Sequence, residues 1–436
     1  MRRLGAWALL AILACALGWT AIRDFPNQPG MDLYHPWGIA RVMHEDPAAG
    51  SPYAHPERYG AHVQRITEAA RATDPKLWIV GRLWRSRAGV AFEPTATPFY
   101  YAVLSLLPAD YDSAHLAFAA LQYFSLIAAV ALLAHLAGFA IVPSLAVACA
   151  AGLVYTAFGQ DVYVGNVNSI QLLGVAVLVW IAERRLYLAR AWIDRLYLPL
   201  IALGLVLKPN LPWVAGMLAA QYALVRGPRA FAVGTALAAA TVAVSVAIGA
   251  AYFGDLGIWA DWFAYLRRGI FYSVDLGNQS LPMLMAEKGS GFGPVANSAL
   301  VAACIALAFL VAVSAGGKRQ ELAAPTARAL LSDAWYAASV GVVLTCAATP
   351  LFWIHYDVLA LVPILYFVRA GRRPDAGTWC AAASFVILSV PFIRLLNAAH
   401  LVGTLYSLIF FAWVPLLAAV LWRAVGVRRA LEPGAA

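Results

Sequence analysis

Apolar residues run in long blocks along this chain, and polar ones gather in the gaps. A helix that crosses a bilayer needs about 20 predominantly apolar residues, with a range near 17–25. Blocks of that order, some of them shorter, occupy residues 4–22, 113–136, 141–158, 167–182, 196–207, 211–225, 230–252, 297–315, 329–348, 355–369, 376–395 and 402–424. The pattern predicts an all-α polytopic membrane protein, a bundle of about 12 transmembrane helices forming a single domain over residues 1–436. Blocks 196–207 and 211–225 are parted only by Lys208-Pro209-Asn210, and they also read as one broken helix.

Basic residues decide between those readings, because short cytoplasmic loops collect Lys and Arg. With the N-terminus inside and twelve spans, the inner loops carry Arg2/Arg3, Arg184/Arg185/Arg190/Arg195, Arg226/Arg229, Lys318/Arg319/Arg328, Arg369/Arg372/Arg373 and Arg423/Arg428/Arg429. Fusing the two blocks would invert every later cluster. Both termini are therefore expected in the cytoplasm, with residues 425–436 as a cytoplasmic tail. The outer face then holds a long first loop at 23–112 and a second at 253–296. Short outer loops fall at 159–166, 208–210, 349–354 and 396–401. Within the first loop, His55 to Ala72 predicts a helix lying on the membrane. Thr97 to Leu107 is apolar but too short to span, and reads as re-entrant or interfacial. Met1-Arg2-Arg3 followed by an apolar run fits a signal peptide, but so many later spans favour a retained signal-anchor helix.

Composition agrees with this picture. Of 436 residues, 62% are hydrophobic and 12% charged, with a mean hydropathy of +0.72. A soluble domain has about 45–50% apolar and about 25% charged residues, so a water-driven globule is excluded. The net charge of +9 sits largely at helix ends, where it sets topology rather than binding nucleic acid. The five cysteines (Cys15, Cys149, Cys304, Cys346 and Cys380) all fall in apolar blocks. They show neither metal-ligand nor disulfide spacing and read as small core residues.

The threading gathers the unusual polar residues on one side. These are Asp24 and Asp32; Glu93; Gln160-Asp161 through Asn166 and Asn168; Lys208 and Asn210; Asp275 and Asn278; and His355-Tyr356-Asp357. Ionisable groups at a membrane edge are costly and tend to mark a site. Each also has a plain structural reading. Asp24 and Asp32 suit helix caps. Gln160 to Asn168 suits a polar turn. Lys208 either snorkels to the interface or meets a phosphate. His355 suits a structural histidine, and Trp259, Trp262 and Trp353 suit an interfacial belt.

Six elements in order resemble glycosyltransferase family 87, the bacterial polyprenol-phosphate-sugar-dependent transferases of the GT-C superfold. They are Asp32-Leu-Tyr34 after the first helix, Pro94 to Pro98 with Leu107-Pro108, Gly165-Asn-Val-Asn168, Leu207-Lys-Pro209, Asn278-Gln-Ser-Leu281 and Pro350 to Tyr356. The resemblance covers residues 5–370. Asn166 stands where Gln is more usual, and the first loop is longer and more basic than in that family.

The resemblance implies a GT-C-like bundle. It also implies inverting transfer of a sugar, best known as mannosyl, from a polyprenyl-phosphate donor to a lipid or glycan hydroxyl on the outer face. Asp32, which falls in the matched element, is the implied general base, with Asp24 in reserve. Tyr34, Gln160, Asn166, Asn168, Lys208, Asn278, His355 and Tyr356 are the implied substrate-binding residues. No cofactor is implied; a divalent metal is compatible but not required. The implied partners are donor, acceptor and membrane lipids.

A transporter or lipid-linked sugar flippase is the second reading. Such proteins show two similar halves broken near mid-bilayer, and this chain shows no such halves. A lipid-linked glycan ligase would place its large loop late, whereas the larger loop here comes first.

Overall fold

A computed structural model describes residues 2–88, 94–267, 278, 280–314, 322–371, 373–398, 409 and 411–431. Glu93, Asp275 and the start of the predicted span at 402–424 lie outside the described residues. The chain is all-helical, 82% helix with no strands among the described residues. The elements are α1 Arg2–Asp24, α2 Met31–Glu45, α3 Pro56–Ala69, α4 Pro75–Ala88, α5 Pro98–Leu104, α6 Tyr111–Leu136, α7 Ile141–Val154 and α8 Thr156–Val164. There follow α9 Asn168–Glu183, the single turn α10 Leu186–Ala189, α11 Ala191–Leu207, α12 Pro212–Arg226, α13 Pro228–Phe253, α14 Ile258–Arg267, α15 Leu281–Glu287 and α16 Pro294–Ser314. The last are α17 Ala323–Ser332, α18 Ala334–Ala348, a 3₁₀ segment Ile354–Ala360, α19 Leu361–Phe367, α20 Ala376–Ile387, α21 Val390–Ala398 and α22 Trp413–Leu431.

Among the described residues, four helices are long and apolar enough to cross a membrane: Leu4–Asn27, Tyr111–Leu136, Pro228–Phe253 and Pro294–Ser314. A fifth is added if α17 and α18, bent by 95° at their junction, form one span. The remaining predicted spans are shorter or broken helices. The block 141–158 stops at Val154, because Tyr155 is extended (φ −88°, ψ 106°) and bridges Ser389. That same bridge interrupts the block 376–395. The block 355–369 opens as a 3₁₀ segment. Hydropathy records what a segment contains, not whether its backbone is continuous. Such breaks are tolerated at depth only where other protein groups satisfy the freed backbone, as where Thr156 N–H donates to Leu388 O at 2.9 Å.

Two cores hold the fold. The larger joins α6, α9, α12, α18, α19, α20 and α22. Every residue of α18 except the half-buried Val340 is buried, and its Gly341 lets α12 come so near that a Cβ there would lie 2.6 Å from Val214 Cα. The second core is aromatic and belongs to the first loop. Tyr34, Trp37, Tyr53, Tyr59, Tyr101 and Tyr111 pack with Val63, Val80 and Trp262. The loop is thus a folded cap, and the predicted helix at 55–72 appears as α3 with a 3₁₀ extension, Ala70–Ala72. The cysteine expectation needs correcting: Cys149 and Cys346 are buried and Cys380 half-buried, but Cys15 and Cys304 are exposed. Both lie on candidate spans whose outer faces carry other exposed apolar residues.

Candidate active site

Asp32 owes its position to two glycines. Gly30 starts α2 with φ +64° and donates its N–H to Tyr163 O at 3.0 Å. The buried Tyr111 hydroxyl is 2.8 Å from both Pro29 O and Gly30 O. Gly165 ends α8 with φ +71°, and a Cβ there would meet Gly30 Cα at 3.2 Å and Leu33 Cβ at 3.0 Å. Both residues need a left-handed backbone, which glycine adopts without steric cost. Back to back, they set the first turn of α2 against the turn that carries Asn166. Gly30, not Asp32, holds the N-cap position. Asp32 sits in the first turn, where the helix dipole favours a carboxylate. Pro36, one turn on, has no N–H to donate to the Asp32 carbonyl.

Gly165→Ala tests this seam. A left-handed alanine costs roughly 1–2 kcal/mol, and the close approach adds to it. The expected result is a lower thermal unfolding midpoint with helix content retained. An unchanged midpoint would show that the seam is not tight.

Asn166 joins the site. Its Nδ2 donates to Asp32 Oδ2 in a short hydrogen bond and lies 3.2 Å from His355 Nε2. Its Oδ1 accepts from Lys208 Nζ in a second short bond. One amide therefore stands between the carboxylate and the ammonium, donating to one and accepting from the other. His355 Nε2 is 3.9 Å from Asp32 Oδ2. Lys208 Nζ lies over the Tyr356 ring, 5.2 Å from its centroid, a cation–π contact.

Below this group is a scaffold. Asp161, fully buried, accepts from Ser169 N at 2.9 Å, Ser169 Oγ at 2.5 Å and Asn168 Nδ2 at 2.9 Å. Gln122, within α6, donates to Asp161 O at 2.9 Å and Asn166 O at 2.6 Å. These bonds fix the turn between α8 and α9. Lys208 lies extended at the break after α11, with its carbonyl 2.9 Å from Asn210 N. Asn210 and Gln171 exchange side-chain bonds of 2.5 and 3.0 Å. Asn278 clamps the segment leading to His355, giving Nδ2–H to Pro350 O at 3.0 Å and taking Phe352 N–H at 2.9 Å. Trp353 stacks on the His355 ring with centroids 6.3 Å apart.

The electrostatics follow from depth. Burial raises the Asp32 carboxyl above its ordinary range, while Lys208 and the Asn166 bond pull it back. Burial pushes Lys208 down to about 8, opposed by Asp32 and Asp161. Asp161 is pushed up to about 6 by burial, against its Ser169 and Asn168 bonds. Despite its depth, the Asp32 side chain keeps 41% of its surface accessible. It is a carboxylate that a substrate can reach.

The structure brings together Asp32, Asn166, Lys208, His355 and Tyr356. Asn168 bonds the Asp161 carboxylate and the Asn210 side chain, and Asn278 holds backbone at Pro350 and Phe352. Tyr34 lies in the cap core: it is 1% exposed, its hydroxyl is 3.0 Å from Thr67 Oγ1, and it packs against Trp37 and Tyr111. Its apolar ring went to the cap core. Asp24 pairs with Arg23 at 2.7 Å, apart from the group around Asn166. Gln160 is half-buried on α8. The sequence reading missed Gln122, whose signal was a lone amide in an apolar helix, and Tyr100 on α5. The Tyr100 hydroxyl feels the charges of Asp32 and Asp161, which add to burial in raising it.

The sequence model of glycosyltransferase family 87 matches residues 93–335, more than half of the chain. Asn166, Lys208 and Asn278 lie inside the match, and Asp32 and His355 outside it. Neither a curated protein nor a solved structure matches the chain. On that match this helical membrane protein belongs to glycosyltransferase family 87 and is a glycosyltransferase.

Proposed function

We propose that the chain transfers a hexosyl group, mannosyl by its family resemblance, from a polyprenyl-phosphate donor to a lipid or glycan hydroxyl, with inversion. The site faces the extracytoplasmic side, with both termini in the cytoplasm. One observation carries this reading: an accessible carboxylate and a half-buried ammonium are held on opposite atoms of one amide. A glycosyl transfer from a phosphate needs that pair. The acceptor oxygen bonds to the anomeric carbon as the sugar–phosphate bond breaks. Asp32 takes the hydroxyl proton as general base. The bond's electron pair leaves with the phosphate, whose growing charge meets Lys208, with His355 and Tyr356 beside it. Asn166 keeps the two charges apart in the unloaded site. No three His, Cys, Asp or Glu side chains gather among the described residues. A divalent ion would therefore rest on Asp32, His355 and the donor phosphate.

The test is to incubate membranes carrying the protein with labelled polyprenyl-phosphate mannose and identify the product. The expected result is label in a new glycosidic bond. Label that crosses the bilayer without a new bond would establish the flippase reading instead.

Asn166→Asp probes the bridge. A second carboxylate beside Asp32 disfavours double ionisation and raises the pair's upper pKa. Activity needs ionised Asp32, so the acid limb of the pH–rate profile is expected to move to higher pH by a unit or more. A limb at the wild-type position would remove Asn166 from control of Asp32.

A further inference from the structure

The long first loop is more basic than topology alone requires, and the transfer chemistry leaves its outer face unused. On α4, Leu77 and Val80 are buried. Gly81 presses so closely on Thr67 that a Cβ there would lie 2.3 Å from Thr67 Cγ2. These contacts fix the rotation of the helix. The opposite face shows Ile79, 45% exposed, Leu83, 39% exposed, and the exposed Arg82. Arg82 and the exposed Arg71, from the 3₁₀ turn before α4, both stack on Trp78, at 4.9 and 5.1 Å from its ring centroid. Neither guanidinium has a carboxylate partner among the described residues. Nearby acids are occupied elsewhere: Glu68 pairs with Arg85 at 2.9 Å, and Asp74 accepts from Leu77 N at 2.9 Å.

The level of this face is fixed as well. The buried Lys76, in the first turn of α4, donates to Phe25 O at 3.0 Å and lies 3.5 Å from Asp112 Oδ1. Phe25 follows the end of α1, and Asp112 begins α6; both helices are candidate spans. So α4 starts where two spans reach the membrane surface. Apolar side chains at i and i+4, flanked by unpaired guanidiniums on a Trp, suit a helix lying in an anionic headgroup layer.

We propose that the Arg71–Trp78–Arg82 face of α4, with Ile79, docks on anionic phospholipid headgroups and holds the cap over the site from the membrane side. This proposal does not depend on which sugar or acceptor is used. The test is a nitroxide on Ile79→Cys in the full chain, with the native cysteines replaced, reconstituted in vesicles. In phosphatidylcholine doped with phosphatidylglycerol, the label is expected to collide with lipid-phase oxygen more than with an aqueous nickel chelate. Pure phosphatidylcholine, or Arg71→Gln with Arg82→Gln, should shift it toward the chelate, the docked fraction relative to the free falling about fivefold per charge removed. Two results overturn the proposal. One is a label as open to the chelate in anionic vesicles as one on the exposed Glu57 of α3. The other is shielding that appears only when a soluble acidic glycan is added, whatever the lipid.

Discussion

Asp32→Asn is expected to abolish transfer, with a loss of about 10²–10⁴-fold, while protein level and membrane insertion stay normal. The substituent keeps the shape of the side chain and can still meet Asn166. It cannot accept a proton from the acceptor hydroxyl. Because the carboxyl lies above its ordinary range, the wild-type acid limb should also sit above that of a solvated aspartate. Asp24→Asn is the matched control: that carboxylate is paired with Arg23, and its loss should leave the rate near normal. Near-normal transfer by Asp32→Asn, measured with labelled donor in membranes, would sink the assignment. A dead Asp24→Asn with a live Asp32→Asn would reassign the base.

Lys208→Met carries the second large effect. It keeps the stem length and removes the charge proposed to meet the leaving phosphate. Losing one such preorganised contact costs about 10²–10³-fold in rate. The pH dependence sharpens the point. Lys208 titrates near 8 in the unloaded protein and must be protonated to serve. Activity should therefore fall as pH rises through that value, seen in kcat/KM, which reports the free enzyme. Lys208→Arg stays charged throughout and should lose this basic limb while keeping part of the rate. A basic limb that persists in Lys208→Arg would assign it to another group.

Much of the site could be read from the chain because its chemistry is unusual for its surroundings. An acid opening an aromatic helix, a lysine beside a helix-breaking proline and a histidine before an apolar run all stand out against apolar blocks. What could not be read was which of them touch. That depends on the Gly30–Gly165 contact, and either glycine alone reads as an ordinary turn residue. Tyr34 shows the reverse case: it belongs to a motif, yet its ring is buried in the cap core. The helix breaks at Tyr155 and Ile354 were hidden for another reason. Their residues are apolar, and the groups that satisfy their backbones come from segments far along the chain.

The cap carries Asp32 near the start of the polypeptide, and the bundle supplies Asn166, Lys208 and, close to the end, His355. The chain therefore makes its carboxylate long before its histidine. While the protein is being threaded into the membrane, the half-built molecule holds an acid with no cation beside it. The proposed phosphate donor, meeting such an intermediate, would not find Lys208 or His355 in place. On the proposed mechanism, transfer therefore waits until the glycine seam closes and sets Asp32 against Asn166 and Lys208.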